Sequence, residues 1–374
     1  MIARRLDVPP ELTADAVETL IAGRELPIVT PMACTFVYRG EADAVRLRHW
    51  GVGLPPDLGF ERVAGSDLWV LVLELPRGSR VEYKFEVAEH GGVRLVEDPL
   101  NQQRASNPFG GNSVCQADGY TVPDWAMRDP EARGGRLEDR PVESRALGRT
   151  AGVTLYLPAG FEERPEHPYR LLVVHDGGDY LHYASLTTVL DNLVHRRLVP
   201  PLVAACLHPG ERLVEYADDE RHARFLNEEL IPDLESQLPL VRTPAGRCLM
   251  GASFGAVASL AAAAHSPGRY GRLLLQSGSF AWSSNGCSSR REVIWQPIKE
   301  FVDRYASSPA RVSDRVFVTC GVYESLICEN RALLPALEAT GMEVRFVEAL
   351  DGHNWESWRD RLGDALPWLF DGTS

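Results

Sequence analysis

Between residues 31 and 122, apolar and polar positions alternate with period two in short runs at 34–38, 45–50, 68–75 and 81–87, with Gly and Pro between them. Alternation of this kind puts one side of each run into a core and the other into solvent, and so predicts an antiparallel β-sandwich. Ahead of it, residues 1–30 read as a lead-in segment with one amphipathic helix, because Leu12, Ala16, Leu20 and Ile21 recur at helical spacing after Pro9-Pro10. Residues 123–150 are rich in Pro, Gly and charge and read as a linker, with Trp125 available to pack against a domain.

From 151 to 374 the pattern changes. Apolar runs without alternation (152–157, 170–175, 202–207, 247–250, 272–276, 315–320, 343–348) are separated by stretches of helical periodicity (186–197, 219–237, 254–265, 293–305, 329–340, 355–369). Strands that are apolar on both sides, joined by helical crossovers, predict a mainly parallel sheet covered on both faces. An α/β-hydrolase domain fits this order.

At 247–265 a short apolar strand meets Gly251-Ala252-Ser253-Phe254-Gly255, and an alanine-rich helix follows. A sharp strand-to-helix turn lifts a serine hydroxyl out of the regular backbone, and glycines on either side give the crowded chain room. Ser253 is therefore the candidate nucleophile. In such a sheet ligands gather beyond the carboxyl ends of the strands, so the loops there supply the other candidates. The stretch His175-Asp176-Gly177-Gly178-Asp179-Tyr180 can turn backbone N–H groups toward an oxyanion, with the N–H of Phe254 as second donor. Gly178 is the first choice for the loop donor, with Gly177 and Asp179 as rivals.

The base is expected on the loop after the last strand, where Asp351-Gly352-His353-Asn354-Trp355 supplies His353. His175 and His208 also end strands and are the competitors. The loop after 315–320 offers Glu324 as the acid that orients the imidazole, and Asp351 stands too near His353 in sequence to reach back. Arg212, Arg290 and Arg291 are candidate contacts for an anionic substrate, and Tyr180, Trp282 and Trp355 for an aromatic one.

Composition narrows the class further. With 39 basic against 52 acidic residues the net charge is −13, which offers no footprint for nucleic acid and argues against anionic membranes. The N-terminus lacks the apolar core of a signal peptide, so a cytoplasmic location is expected. Seven cysteines without Cys-x-x-Cys spacing read as reduced residues, several in apolar strands (Cys206, Cys248, Cys320). Neither a metal site nor a cofactor is expected, and monomer and homodimer are both left open.

Residues 150–370 resemble the esterase D group of α/β-hydrolases, and with the preceding β-domain the chain is similar to the enterochelin (ferric enterobactin) esterase family. The residues that carry the likeness are Val173-Val174-His175-Asp176-Gly177-Gly178-Asp179, Arg212-Leu213-Val214-Glu215-Tyr216, Phe225 to Pro232, the Ser253 pentapeptide, Leu273 to Ser279, and Asp351 to Arg359. The resemblance implies that Ser253, Glu324 and His353 are nucleophile, acid and base. It also implies an early-set immunoglobulin-like sandwich that helps to close the pocket, and a small-molecule ester substrate, namely a catecholate trilactone siderophore with or without iron. Similar folds instead remove feruloyl or acetyl groups from sugars, and a binding protein without turnover is the third reading. The chain departs from the family at His175, where leucine is more usual, and its acidity is unlike a receptor for a polyanion.

Overall fold

The computed structural model describes residues 3–9, 11–164, 166–283 and 293–371. The chain divides into two compact units. The first comprises Met1–Thr121 together with Gly321–Ser325 and Ala349–Asn354, and the second comprises Val122–Cys320, Leu326–Glu348 and Trp355–Ser374.

The first unit is built from two antiparallel sheets. One has the order Arg4–Leu6, Leu68–Glu74, Cys34–Arg39, Ile28–Val29, and the other Ala44–Arg48, Arg80–Glu89, Gly110–Gln116, Arg104–Asn107. Period-two alternation is plain in Arg80–Glu89, where Val81, Tyr83, Phe85 and Val87 are buried. They meet Phe36, Leu71 and Leu73 of the facing sheet in one core, with Phe36 edge-on to Tyr83 at 5.1 Å. The supposed lead-in is part of this body: its helix is Ala14–Ile21, and Arg4–Leu6 pairs with Leu68–Glu74. Gly92–Val96, Arg104–Asn107 and Gly110–Gln116 are also strands that the alternation does not mark: the first is short and largely exposed despite its apolar residues, and the other two carry few apolar residues.

The second unit contains a nine-stranded sheet whose main path runs Arg136–Asp139, Arg149–Leu157, Leu202–His208, Arg170–Val174, Arg247–Ala252, Arg272–Gln276, Arg315–Gly321, Glu343–Ala349. Pairing is parallel from Leu202–His208 through Arg315–Gly321. Both faces are covered, since Leu171 and Val173 enter one apolar cluster and Leu172 and Val174 the other. The expected linker is instead structured: Arg136–Asp139 and Val142–Ser144 pair with Arg149–Leu157. The first of these strands is exposed along its length, as a charged edge strand is, and that composition hid it. Trp125 does pack within this unit, against the backbone of Gly363.

Helices 186–195 and 254–265 match expectation, while the run 220–237 passes through a π-helical stretch, Phe225–Leu230, just before Pro232 removes a backbone donor. The Gly177–Gly178 stretch, expected as a loop, begins the helix Gly177–Tyr183. Cys34, Cys115, Cys206, Cys248 and Cys320 are buried and form no disulfide, but Cys328 is disulfide-bonded, contrary to the expectation that all are reduced.

Candidate active site

Within the second unit the strand order turns between Arg170–Val174 and Arg247–Ala252, which pair directly, Val174 opposite Met250. Crevices for ligands form at such switch points. Two features stand side by side there. The helix Gly177–Tyr183 starts from Asp176, which sits in the left-handed region at φ 53°. Beside it Ser253, at φ 57° and ψ −120°, joins Arg247–Ala252 to the helix Phe254–His265. A non-glycine residue held at such angles is strained by roughly 1–3 kcal/mol and persists only where its surroundings fix it. Here the Ser253 N–H donates to Gln276 O at 2.9 Å, and its carbonyl accepts from Ser279 N at 3.1 Å. The tightness also explains the flanking glycines, because a Cβ on Gly251 would lie 2.4 Å from the carbonyl carbon of Gly255.

The Ser253 side chain is half-buried, with Oγ 3.0 Å from Ser279 Oγ. Ser279 lies 26 residues from Ser253 in sequence, and only the fold brings the two hydroxyls together. Phe254 opens its helix, so its N–H has no carbonyl four residues back, and the same holds for Gly177 and Gly178 in theirs. Neither glycine has a positive φ. Close approach sets Gly177 apart: a Cβ there would fall 2.3 Å from Cys206 Cα, whereas one on Gly178 would fall 2.7 Å from the exposed His208 ring, a side chain that can give way.

Arg212 is ion-paired within the second unit. Its guanidinium forms a bidentate pair with the buried Asp176 carboxylate, both contacts at 2.7 Å, and lies over the Tyr216 and Phe254 rings. A buried carboxylate needs such a partner, and the pair fixes the start of the helix. Tyr180 stands inside the core. It is fully buried, donates to Gln276 Oε1 at 2.7 Å, and packs edge-on against Trp355, itself 8% exposed in the same apolar cluster. Trp282 is partly buried against the other cluster. Arg290 and Arg291 lie outside the described residues.

The two competing histidines are accounted for. His208 Nε2 lies 2.9 Å from Thr154 Oγ1. His175 is buried, with Nδ1 near Met250 O at 3.2 Å and Ser259 Oγ at 3.0 Å, and Nε2 3.0 Å from His222 Nε2. Since Ser259 donates to Gly255 O, the proton sits on His175 Nδ1, and His222 Nε2–H donates to His175. Burial holds both rings far toward the neutral form, His175 well below the usual imidazole pKa and His222 down to about 3.

Within the first unit, His353 and Glu324 form a pair. His353 Nδ1 is 2.6 Å from Glu324 Oε2, while Oε1 accepts the Gly321 N–H at 2.6 Å. Glu324 is 1% exposed and the imidazole about a third exposed. An ionised carboxylate only accepts, so Nδ1 carries the proton and Nε2 presents its lone pair. Asp351 makes no such pair; it bonds to Arg80, Gly352 N and Asn354, and burial raises its carboxyl to about 6. Among the described residues no group of three or more His, Cys, Asp or Glu is placed to hold a metal ion, and no helix is long and apolar enough to cross a membrane.

An α/β protein with a strained serine between strand and helix at the sheet's switch point is the class that these features define. The family model described as "Putative esterase" matches residues 144–369, and the chain belongs to that family of carboxylic-ester hydrolases. Among curated proteins it is similar to the iron(III) enterobactin esterase of Escherichia coli K12, 24% identical over 82% of this chain and 80% of that protein, and to that of Dickeya dadantii, 28% identical over 84% and 79%. It is thus an enterochelin esterase-like protein. Among solved structures, the enterobactin esterase of Shigella flexneri crystallised in the presence of enterobactin superposes with a TM-score of 0.73 at 22% identity, covering 91% of this chain and 94% of that one. A ferulic acid esterase superposes with a TM-score of 0.56 at 19% identity, covering 64% of this chain and 99% of that one.

Proposed function

We propose that this protein is a serine esterase of the α/β-hydrolase type that hydrolyses the ester bonds of a catecholate trilactone siderophore, with an immunoglobulin-like sandwich as its N-terminal part. His353 Nε2 takes the Ser253 proton as Oγ attacks an ester carbonyl. Glu324 holds the ring and stabilises the imidazolium. The N–H groups of Phe254 and of Gly178 or Gly177 hold the oxyanion, the imidazolium gives its proton to the departing alcohol oxygen, and the neutral His353 then deprotonates the water that hydrolyses the acyl-enzyme, returning that proton to Ser253 Oγ.

The observation that carries the reading is Ser253 itself, kept at an unfavourable backbone conformation that leaves its hydroxyl at a helix N-terminus. The Glu324–His353 pair supplies the proton chemistry in the chain order serine, acid, histidine. The siderophore substrate is favoured over a feruloylated or acetylated sugar because likeness to the enterobactin esterases runs over 82–84% of the chain, whereas the ferulic acid esterase covers 64%. The test is chromatography of products after incubation with the trilactone, with and without iron, and with a feruloylated sugar. Release of catecholoyl-serine by the native protein but not by Ser253→Ala supports the reading, and turnover of the sugar ester alone overturns the substrate.

A further inference from the structure

The acid- and base-bearing loops belong to the first compact unit, with the antiparallel sheets, and what holds them there is specific. Arg80 opens the strand Arg80–Glu89 and is 3% exposed. Its backbone N–H donates to Leu350 O at 2.8 Å. Its guanidinium Nη1 donates to Asn354 Oδ1 at 3.0 Å and to Glu82 Oε1 at 3.0 Å, and lies 3.4 Å from Asp351 Oδ1. Asp351 Oδ1 in turn accepts from Gly352 N and from Asn354 Nδ2, each at 2.7 Å. The residues on both sides of His353 are thereby tied to one buried cation.

The neighbouring residue does the same for the other loop. Ser79 Oγ lies 2.7 Å from Tyr323 Oη, Tyr323 N donates to Asp351 O at 3.1 Å, and the Tyr323 ring is part of the core between the two sheets. Gly51 presses on the same turn so closely that a Cβ there would fall 1.5 Å from the Tyr323 carbonyl oxygen. A buried arginine is costly unless every partner is in place, and a surface loop could be closed without one. The three acceptors converge on one guanidinium nitrogen, Nη1, which an apolar side chain cannot replace and a lysine ammonium, a point charge on a differently shaped stem, replaces only in part.

We infer that Arg80 is a positioning residue for the reaction, fixing the His353 loop through Asp351 and Asn354 so that the imidazole keeps its register on Glu324. This makes the N-terminal β unit a working part of the catalytic apparatus. The inference rests on the reading of His353 as the base.

The experiment compares native protein with Arg80→Lys, Arg80→Met and Asn354→Ala, using p-nitrophenyl acetate turnover and the far-downfield proton resonance of the His353–Glu324 hydrogen bond. Displacing a catalytic group by about 1 Å lowers turnover by up to about 100-fold. The expected result is a fall in kcat of about 10- to 100-fold with KM changed less than about 2-fold, the downfield resonance lost or broadened, and Arg80→Lys intermediate between native and Arg80→Met. If Arg80→Met does not fold, Asn354→Ala, which leaves the Arg80–Asp351 pair in place, carries the test. Folded variants with native kcat and an unchanged resonance overturn the proposal. If the native protein itself neither turns over the ester nor is labelled at Ser253 by a fluorophosphonate, it is the underlying esterase reading that fails.

Discussion

Glu324 Oε2 lies 2.6 Å from His353 Nδ1, and the other Glu324 oxygen is occupied by the Gly321 amide at 2.6 Å. The carboxylate is therefore fixed by its own strand end before it meets the imidazole. Glu324→Gln keeps the size but can present an N–H to His353 and so favours the wrong tautomer; a loss in kcat of about 10²- to 10⁴-fold is expected. Steady-state kinetics on a p-nitrophenyl ester, with far-ultraviolet circular dichroism to show the fold is retained, checks this. Native turnover in Glu324→Gln would remove Glu324 from the mechanism.

Ser253 occupies angles that glycine adopts without strain. Ser253→Gly is expected to be more stable than Ser253→Ala by about 1 kcal/mol or more, while both are inactive. Thermal and urea unfolding of the two variants decide it, and equal stabilities would show that the backbone there is not strained.

The paired glycines differ in what surrounds them. A Cβ at Gly177 meets the Cys206 backbone, which cannot move, whereas one at Gly178 meets the exposed His208 ring, which can. Gly177→Ala should lower stability by about 2 kcal/mol or more, and Gly178→Ala by under about 1 kcal/mol. The reverse order in denaturant midpoints would contradict the packing described.

Burial depresses His222 to about 3 and His175 well below its ordinary value. An unfolded chain takes up protons on both below about pH 6.5, and the folded one does not. Their contribution to stability is thus complete above pH 6.5 and is lost as pH falls toward 3, on the order of a few kcal/mol. His222→Phe should flatten that part of the stability curve; an unchanged slope would mean that His222 is protonated in the fold.

Much of this was legible in the chain. The switch from period-two alternation to continuous apolar runs separated the β part from the parallel sheet, and the Gly-x-Ser-x-Gly turn marked the strained serine because only small neighbours tolerate that crossing. What was hidden depended on tertiary partners. Arg212 looks like a free cation until Asp176 is seen buried beside it, and Tyr180 looks like a rim aromatic until Gln276 takes its hydroxyl. Edge strands such as Arg136–Asp139 carry no apolar signal because both faces are exposed. Arg80 gives no signal at all in sequence, since its partners Asp351 and Asn354 are more than 270 residues away.

The central claim, that Ser253 is a nucleophile served by His353, is tested most directly by mass spectrometry after exposure to diethyl p-nitrophenyl phosphate. A single diethylphosphoryl adduct on the peptide containing Ser253, absent in Ser253→Ala and formed at least about 100-fold more slowly in His353→Ala, is the predicted result. An unlabelled Ser253, or labelling at the same rate in His353→Ala, would contradict it.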